Sequence, residues 1–477
     1  MHNNTSPATA LKFLIVASLC SQSFSAMADT QHTNPLESMR PLPAGPARYL
    51  ENYQFLKDPK KRNDKFDPIR YIPFGQKSWL QIGGEVRLKY NNDKNQNFGL
   101  NGVEEDAYYQ TRYQIHLDAH LFDDALRTFF QLENTQSYDK EVLLPAGESD
   151  TEFHQAFVDF GLNKSINKRA YLRFGRQEMF YGSGALFTYR AVPNVRQTFD
   201  GFRLSYQKFR GYNVNAFAVR PVNNVQEGSF NDSSENSGEL YGVYSTKFWK
   251  KSTKQDFFAI GYHRNDRRFN GFIADENRYT LGTRLFGKHS NFYYSVEGIY
   301  QFGSHGDQDI RAWAFQSETG YKFNNSYWRP DLALEINVAS GDKKASDNET
   351  NTFDPLFPAN GKFYGGGGLV TLSNLIAVGP KFSIHPSRSL EASATILNLW
   401  KESKNDGAYI AGVRMLPGTA NTSQNELGTV YKLNTRWRAT SNITLDLAYT
   451  YYDAGATIQE AGGEDSQIIS IRPAFLF

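Results

Sequence analysis

Apolar and polar residues alternate along most of the chain from residue 79 onward. Successive side chains of a strand point to opposite sides, so a period of two predicts strands with one apolar and one polar face. The segment 79–90 shows the pattern: its apolar positions are Leu80, Ile82, Val86, Leu88 and Tyr90, and its polar positions are Gln81, Glu85, Arg87 and Lys89.

Segments of this kind run for about ten to fourteen residues, which is close to the length that a tilted strand needs to cross a bilayer. A soluble sandwich also alternates, but it does not require that length. The sequence therefore predicts an all-β fold, a transmembrane antiparallel up-and-down β-barrel of about eighteen strands. The predicted strands are 79–90, 107–121, 125–135, 152–162, 169–177, 198–207, 211–220, 239–248, 255–264, 276–287, 291–303, 309–323, 328–340, 372–385, 388–400, 426–438, 442–453 and 466–477.

The connections between these segments mostly alternate between long and short. Segments 91–106 and 136–151 are long, whereas 122–124 and 163–168 are short. Barrels of the bacterial outer membrane have long extracellular loops and short periplasmic turns. We therefore expect a barrel surrounded by outer-membrane lipid in a Gram-negative cell, with both termini in the periplasm.

The tryptophans are predicted to lie at the two rims of the barrel, where amphipathic rings prefer the boundary between water and lipid. The expected periplasmic rim carries Trp79, Trp249, Trp328 and Trp437, and the expected extracellular rim carries Trp313 and Trp400. The last predicted strand ends on Phe477, which resembles the C-terminal signature of outer-membrane barrels.

The region before the barrel divides into two parts. Residues 1–28 are typical of a secretory signal peptide, with Lys12, a short apolar run that ends at Cys20, and a small-residue cleavage site at Ala28. Cleavage there leaves a mature chain without cysteine. Residues 29–76 are rich in proline and are predicted to form a periplasmic extension, followed by the barrel over 77–477.

Charged residues fall on the polar phase, which faces the lumen, because a charge at the lipid-facing midplane costs about 2–4 kcal/mol. Basic residues exceed acidic ones in this phase, and most are arginines, which suit carboxylates and phosphates. The inward basic residues are Arg87, Lys89, Arg112, Arg127, Arg173, Arg203, Arg278, Arg284, Lys322, Lys381, Lys432, Arg436, Arg438 and Arg472; the inward acidic ones are Glu85, Asp118, Glu133, Asp159, Glu297, Glu318, Asp331, Glu335, Glu391 and Asp446. The pattern favours an anion-preferring pore, although charges paired across the wall would give the same pattern.

Four long segments, 178–197, 221–238, 341–371 and 401–425, are the candidates to narrow the lumen. A barrel of this size otherwise encloses an aqueous channel. The acidic stretch after residue 340 fits no calcium-binding loop of the EF-hand type.

Other chemistries find little support in the sequence. The 52 basic and 50 acidic residues leave no excess that would indicate a nucleic-acid partner. No catalytic residues, metal ligands or cofactors are predicted, because no G-x-S-x-G motif is present and a mature chain would have no cysteine nucleophile. His116, Asp118 and His120 share one strand face, but such residues are about 7 Å apart, so polar lining is the expected role.

Several segments together resemble the alginate export family of outer-membrane barrels. The opening motifs are 58–62 (Asp-Pro-Lys-Lys-Arg), 66–74 and 83–87, the central ones are 172–178, 181–184 and 194–203, and a later one is 352–358. The resemblance extends over nearly the whole mature chain and itself implies an eighteen-stranded barrel.

This resemblance implies a channel for a linear anionic polysaccharide, with an arginine-rich lumen, loop gating and delivery by a periplasmic assembly. Arg173, Arg176 and Arg203 lie inside the matching motifs, and Asp200 is an expected partner. Arg176 breaks the lipid-facing phase, so we expect it to turn toward the pore mouth. The predicted pore-lining or substrate-binding set is Arg87, Arg112, Arg127, Arg173, Arg176, Asp200, Arg203, Arg278, Arg284, Lys322, Arg436 and Arg438.

Two functions remain open at this point, export of an anionic polysaccharide such as alginate and uptake of small organic acids or oligosaccharides. An outer-membrane enzyme is a third class that the sequence does not favour. Loss of positive charge at Arg173, Arg203 and Arg284 together is expected to lower anion selectivity.

Overall fold

A computed structural model describes residues 47–141, 146–165, 168–209, 211–250, 252–344 and 347–477. The predicted signal peptide and the first part of the predicted extension lie outside these residues. Eighteen long strands form one antiparallel sheet that closes when the first strand pairs with the last, which confirms the predicted fold. Within the described residues, no helix is long and apolar enough to cross a membrane.

The strands of the barrel are numbered here in chain order. They are β1 (Trp79–Lys94), β2 (Glu105–Leu121), β3 (Leu126–Tyr138), β4 (Ser149–Ser165), β5 (Lys168–Gln177), β6 (Phe199–Lys208), β7 (Tyr212–Asn223), β8 (Gly238–Lys250), β9 (Thr253–Phe269), β10 (Phe272–His289), β11 (Phe292–His305), β12 (Gln308–Lys322), β13 (Asp331–Ala339), β14 (Leu375–Ile384), β15 (Leu390–Trp400), β16 (Glu426–Arg438), β17 (Ile443–Ala454) and β18 (Ser466–Leu476).

The remaining elements are short. The α-helical turns are Asp67–Arg70, Asn360–Tyr364 and Ala456–Glu460; the 3-10 turns are Arg48–Leu50, Gln54–Lys57, Pro59–Lys61, Gln96–Gly99, Gly366–Gly368 and Thr419–Asn421; the short strands are Ile72–Pro73, Ser233–Ser234, Glu349–Thr350, Tyr409–Ile410 and Arg414–Met415.

The two ends of the barrel differ in their connections. At one end, which we name the turn end, short turns join the strands, as residues 122–125 join β2 to β3, and the chain enters β1 and leaves β18. At the opposite end, the loop end, segments 178–198, 224–237, 340–374 and 401–425 connect the strands.

The alternating pattern places apolar residues outward, as predicted. On β10, Tyr279, Leu281 and Leu285 are exposed on the outer surface, whereas Arg278 and Thr280 are buried on the inner side. Trp79 is an exception to the predicted tryptophan belt. It lies in the inward phase of β1 and is buried, with its ring 3.9 Å from that of His120.

Three of the four long segments pack together within or over the lumen. Segments 178–198 and 340–374 contact each other where Phe187 packs against Phe357, with ring centroids 5.6 Å apart. Both rings belong to an apolar cluster that includes inward side chains of the wall such as Phe217 and Tyr262. We name segment 340–374 the second insertion. Segment 401–425 holds it in place, because Thr352 donates a hydrogen bond to Asp406 at 2.6 Å.

The residues before β1 also pack against the barrel, where the sequence predicted only a proline-rich extension. The Tyr49 ring lies against Phe129 and Phe157, two inward residues of β3 and β4, at 6.3 and 5.5 Å between centroids. Farther along, Phe66 packs against Phe475 at 5.8 Å. We name residues 47–73 the N-terminal clasp.

The clasp covers an edge that the barrel closure leaves open. β18 ends opposite Gly84, which exchanges backbone hydrogen bonds with Phe477, so the first residues of β1 extend past it. Ile72–Pro73 pairs with this free edge, with Ile72 opposite Leu80. An uncovered strand edge is a template for unwanted pairing, and the clasp removes it.

Candidate functional site

The inner wall divides into a filled part and an accessible part. On β1 to β7, the clasp and segment 178–198 pack over the wall and bury its charges. On β10 to β17, inward charged side chains toward the turn end remain exposed to solvent, among them Lys322 and Arg436, at 48% and 50% of their side-chain surface. The predicted pore-lining residues are distributed over both parts.

Two predicted arginines of the filled part, Arg112 and Arg127, form paired contacts with carboxylates. Arg112 lies 3.0 Å from Glu85, and Arg127 binds Asp118 with two hydrogen bonds of 2.7 Å. The pairs lie on neighbouring strands or on the same strand face, and all four side chains are buried. A buried cation requires such a partner, because an unpaired one would be strongly destabilising.

Arg173 and Arg203 are cross-strand neighbours on β5 and β6, inside the segments that carry the family resemblance. Arg173 forms a two-point contact with Asp159 at 2.6 and 2.8 Å, and its guanidinium lies 3.5 Å from the Phe157 ring centroid. Arg203 donates to the Tyr49 hydroxyl at 3.4 Å. The clasp therefore covers both arginines.

Segment 178–198 is fixed to the wall by a network of buried charges. Arg87 donates to the Asn194 side chain at 2.8 Å. Glu178 lies 2.8 Å from His154 of β4 and 3.2 Å from Arg196. Burial opposes ionisation of Glu178, but Arg196 and His154 outweigh it and lower the pKa of this carboxyl group.

Arg278 lies under the second insertion rather than on the open channel surface. Its guanidinium contacts Glu276 at 3.0 Å and Gln301 at 2.8 Å. Gln301 in turn donates to the backbone carbonyl of Asp354 at 2.7 Å. Arg264, a residue that the sequence reasoning omitted, binds the Asp354 carboxylate at 2.6 Å and holds the insertion to β9.

Four predicted residues, Arg284, Lys322, Arg436 and Arg438, lie on the accessible part of the wall. Arg284 is 2.7 Å from Asp256 and retains 13% side-chain exposure, and Lys322 is 3.8 Å from Asp331. Arg436 binds Asp446 at 2.7 Å but remains half exposed. These groups are available to a solute in the lumen, in contrast to the buried pairs.

The second insertion adds a lysine that alternation did not reveal. Lys362, on the helical turn Asn360–Tyr364, donates to the backbone carbonyl of Ser183 at 2.8 Å and so bridges the two inserted segments. Lys432 of β16 donates to the carbonyl of Phe363, and Lys381 lies 3.5 Å from Glu318. We name Arg284, Lys362, Lys381 and Lys432 the lumenal basic cluster.

The surroundings of Lys362 shift its titration. Burial is the main cause of a lowered pKa, and the positive charges of Lys381 and Arg284 act in the same direction. The negative charges of Glu318 and Glu335 oppose them. The cluster therefore brings four positive charges close together, although Asp256 pairs with Arg284, and Glu318 and Glu335 lie 3.5 and 3.6 Å from Lys381. An anion in the lumen would interact with the cluster through its basic groups.

Arg176 and Asp200 form the predicted pair, with contacts of 2.9 and 3.1 Å, but the pair lies on the outer surface. The two residues are cross-strand neighbours in the same phase as Phe174 and Phe202, whose rings are exposed. Segment 224–237 covers the pair, because Arg176 donates to the carbonyl of Asp232 at 3.0 Å. The sequence had placed Arg176 at the pore mouth.

His116, Asp118 and His120 are buried near the turn end, and His120 contacts Asp118. His120 lies 2.6 Å from Asp124 and 3.3 Å from Asp118. In the described part of the chain, no group of three or more histidine, cysteine, aspartate or glutamate residues is arranged to hold a metal ion.

Apart from Arg264 of β9, the residues that were not predicted from the sequence belong to segments without strand periodicity. Tyr49 and Lys362 lie in the clasp and the second insertion, where alternation gives no phase. The aromatic residues of the otherwise proline-rich clasp were an available signal, since Tyr49, Tyr53 and Tyr71 become buried.

Solved structures share this architecture at low sequence identity. OccAB1 of Acinetobacter baumannii aligns with a TM-score of 0.57 and 11% identity over 87% of this chain and 99% of its own. OccAB4 of the same organism has a TM-score of 0.57 and 10% identity, with 84% and 98% covered. OpdQ of Pseudomonas aeruginosa aligns with a TM-score of 0.56 and 10% identity over 83% of this chain and 97% of its own. These likenesses show the fold.

A comparison with curated protein sequences gives no match. The family model described as alginate export matches residues 78–471, which is most of the chain and nearly the whole barrel. Together with the closed barrel, this match supports an outer-membrane channel. The chain belongs to the alginate export family.

Proposed function

We propose that the protein is a non-enzymatic channel that passes anionic polar solutes across the outer membrane, most favourably an anionic polysaccharide such as alginate in the outward direction. The loop end would face the cell exterior and both termini the periplasm. The observation that carries the proposal is the lumenal basic cluster, because Lys362 brings a positive charge from an inserted segment to the accessible wall beside Arg284 and Lys381.

The accessible wall leads from the turn end to this cluster. Lys322, Arg436 and Arg438 lie in the inward phase nearer the turn end. An anion that enters from the turn end would therefore meet exposed basic groups before it reaches Lys362. Rings and ladders of lysine and arginine favour anions in this way. A periplasmic assembly that delivers the polymer is a partner consistent with entry at this end.

One observation favours the alternative, a selective uptake channel for small organic acids or oligosaccharides. The clasp and segments 178–198 and 340–374 occupy a large part of the lumen, as the burial of Tyr49, Phe187 and Phe357 shows. A polymer would require these segments to move, whereas a small solute needs only the free space along the accessible wall.

Planar-bilayer recordings test the proposal. The full mature protein is expected to be anion selective in a salt gradient, and polyuronate oligomers are expected to block the current more strongly than simple organic acids. Lys362→Met should shift the reversal potential toward cation preference. Lys404→Met, which removes an exposed lysine at the loop end, is the matched control and should leave the potential unchanged.

Cation selectivity of the wild-type channel would refute the anion proposal. Strong block by simple organic acids together with no block by polyuronate oligomers would replace export by the uptake function.

A further inference from the structure

Residues 57–65 of the clasp carry five basic and two acidic side chains. Asp58 accepts a hydrogen bond from the backbone N–H of Lys60 at 3.0 Å, and Asp64 lies 3.1 Å from Arg70. The exposed basic residues of this stretch are Lys57, Lys60, Lys61, Arg62 and Lys65. The clasp therefore presents several cationic groups to its surroundings within nine positions of sequence.

This basic stretch is attached to the lipid-facing side of the barrel seam. Phe66 packs against Phe475 and Phe477, at 5.8 and 5.9 Å between ring centroids. Phe475 is the register partner of Val86 and Ile443, both of which are exposed on the outer surface. The ammonium group of the neighbouring Lys65 lies 4.9 Å above the Phe66 ring. Lys65 thus lies where the apolar wall meets water, at the end of the basic stretch.

The rest of the turn end repeats this arrangement. Successive turns from β6 to β15 each carry an exposed lysine or arginine, and several carry an exposed aromatic residue beside it. The cationic residues are Lys208, Lys250, Lys288, Arg329 and Arg388, and the aromatic ones are Phe209, Trp249, Tyr327 and Trp328. We name these cations, with those of the clasp, the basic rim.

We propose that the basic rim binds the phosphate-bearing headgroups of anionic phospholipids in the leaflet around the turn end. Tryptophan and tyrosine rings locate the boundary between lipid and water, and lysine and arginine side chains extend from that boundary toward headgroup phosphates. Basic residues next to a membrane attract anionic lipids electrostatically. The densest part of the site is the clasp, from Lys57 to Lys65.

The position of the rim favours lipid over an anionic polymer or an acidic protein. Phe66 and the turn aromatics lie on the outer wall, whereas a polymer that enters the lumen meets inward groups such as Lys322 and Arg436. The proposal does not depend on which solute the channel passes, since the basic rim and the lumenal basic cluster are separate sets of residues.

The test uses the full mature protein in nanodiscs of phosphatidylcholine with a minority of phosphatidylglycerol, and native mass spectrometry counts the retained lipids. Wild-type protein is expected to be enriched in phosphatidylglycerol. In the variant with Lys57, Lys60, Lys61, Arg62 and Lys65 changed to Gln, the enrichment in phosphatidylglycerol should fall at least about fivefold. A fall of this size is the effect expected from the loss of one basic residue near the membrane surface.

The matched control removes the same charge at the loop end, by changing Arg268, Lys343, Lys344, Lys404 and Arg414 to Gln, all of them exposed. It should retain the wild-type enrichment. Should the clasp variant fail to fold, the wild-type protein supplies a second measurement, because enrichment due to charge must decrease as salt is raised.

Absence of phosphatidylglycerol enrichment in the wild type, equal loss in both variants, or enrichment that does not respond to salt would overturn the proposal. A clasp variant that keeps its lipid preference but loses binding of polyuronate oligomers would assign the rim to the polymer instead.

Discussion

Arg48 donates a hydrogen bond from Nη2 to the backbone carbonyl oxygen of Phe477 at 3.0 Å, although the two residues are 429 positions apart. Phe66 packs against the ring of the same phenylalanine at 5.9 Å. The clasp thus holds the end of β18 at two points. The barrel surface that the clasp contacts includes residues of β1, β3, β4 and β18. This surface is therefore complete only after the barrel has closed.

Removal of the clasp contacts inside the lumen is expected to destabilise the barrel and widen the pore. Arg48→Ala combined with Tyr49→Ala removes the bond to Phe477 and the ring between Phe129 and Phe157. We expect a loss of about 3–5 kcal/mol in the free energy of unfolding, as for other large buried aromatic residues. Urea unfolding in detergent micelles and single-channel conductance are the two measurements.

Leu50→Ala is the control for this experiment, because Leu50 is 59% exposed in the same turn. It should change neither quantity. Unchanged conductance in the double variant would show that residues 47–50 do not restrict the pore.

Neutralisation of Arg173 is expected to lower the stability of the barrel, whereas neutralisation of Arg284 is expected to lower its anion selectivity. Arg173→Met removes the two-point contact of the buried Asp159 and leaves Arg127, 3.9 Å away, as its remaining cation, at a cost of about 3–5 kcal/mol. Arg284→Met removes a partly exposed lumenal charge and should lower anion selectivity. In reversal-potential recordings, a variant that also lacks Arg173 and Arg203 should match Arg284→Met alone. A further shift toward cations in the triple variant would show that the buried pair also acts on solutes.

This division illustrates what the sequence determines and what it leaves open. The inward direction of Arg112 and Arg173 follows from strand alternation, because neighbours on a strand point to opposite sides. Their burial depends on Tyr49 and Asn194, which come from segments without periodicity. No local signal encodes such long-range packing. The same limit applies to Lys362, whose role comes from the path of an inserted segment.

Trp79 and Arg176 show a second limit of the alternation argument. A tryptophan at a strand end suggests the lipid boundary, but the phase of β1 turns Trp79 inward, where Tyr71 of the clasp stacks on it at 5.2 Å. A charged residue in the lipid-facing phase suggested that Arg176 turns toward the pore mouth. The structure instead keeps Arg176 in phase and covers it with Asp200 and segment 224–237, which supply its hydrogen bonds.

Anion selectivity is expected to fall with rising pH through Lys362. The pKa of Lys362 is lowered from 10.5, chiefly by burial, so it loses its charge at a lower pH than an exposed lysine. Reversal potentials recorded from about pH 7 to about pH 10 should therefore shift toward cation preference in the wild type. Lys362→Arg keeps the charge over this range. The difference between the reversal potentials of the wild type and of this variant therefore isolates the contribution of Lys362. Identical pH profiles of the two proteins would exclude Lys362 as the titrating group.

Docking of segment 224–237 on the outer wall is expected to weaken as pH rises from 3.8 to about 6. Burial raises the pKa of Asp232 from 3.8 to about 6, so the docked segment binds the proton of Asp232 more tightly than the undocked one. Docking therefore loses this stabilisation as the carboxyl group deprotonates. The segment is held by hydrogen bonds that Phe230 donates to Thr151 at 3.0 Å and that Arg176 donates to Asp232 at 3.0 Å. A spin label at Ser229→Cys, in a chain with Cys20→Ala, should report increasing mobility up to about pH 6 and a constant value above it.

The control is Asp232→Asn. It keeps an acceptor for the N–H of Val225, which lies 2.7 Å from the carboxylate oxygen of Asp232, but carries no charge. It should hold the segment docked at every pH in the interval, and an unchanged pH response in this variant would assign the effect to another carboxyl group.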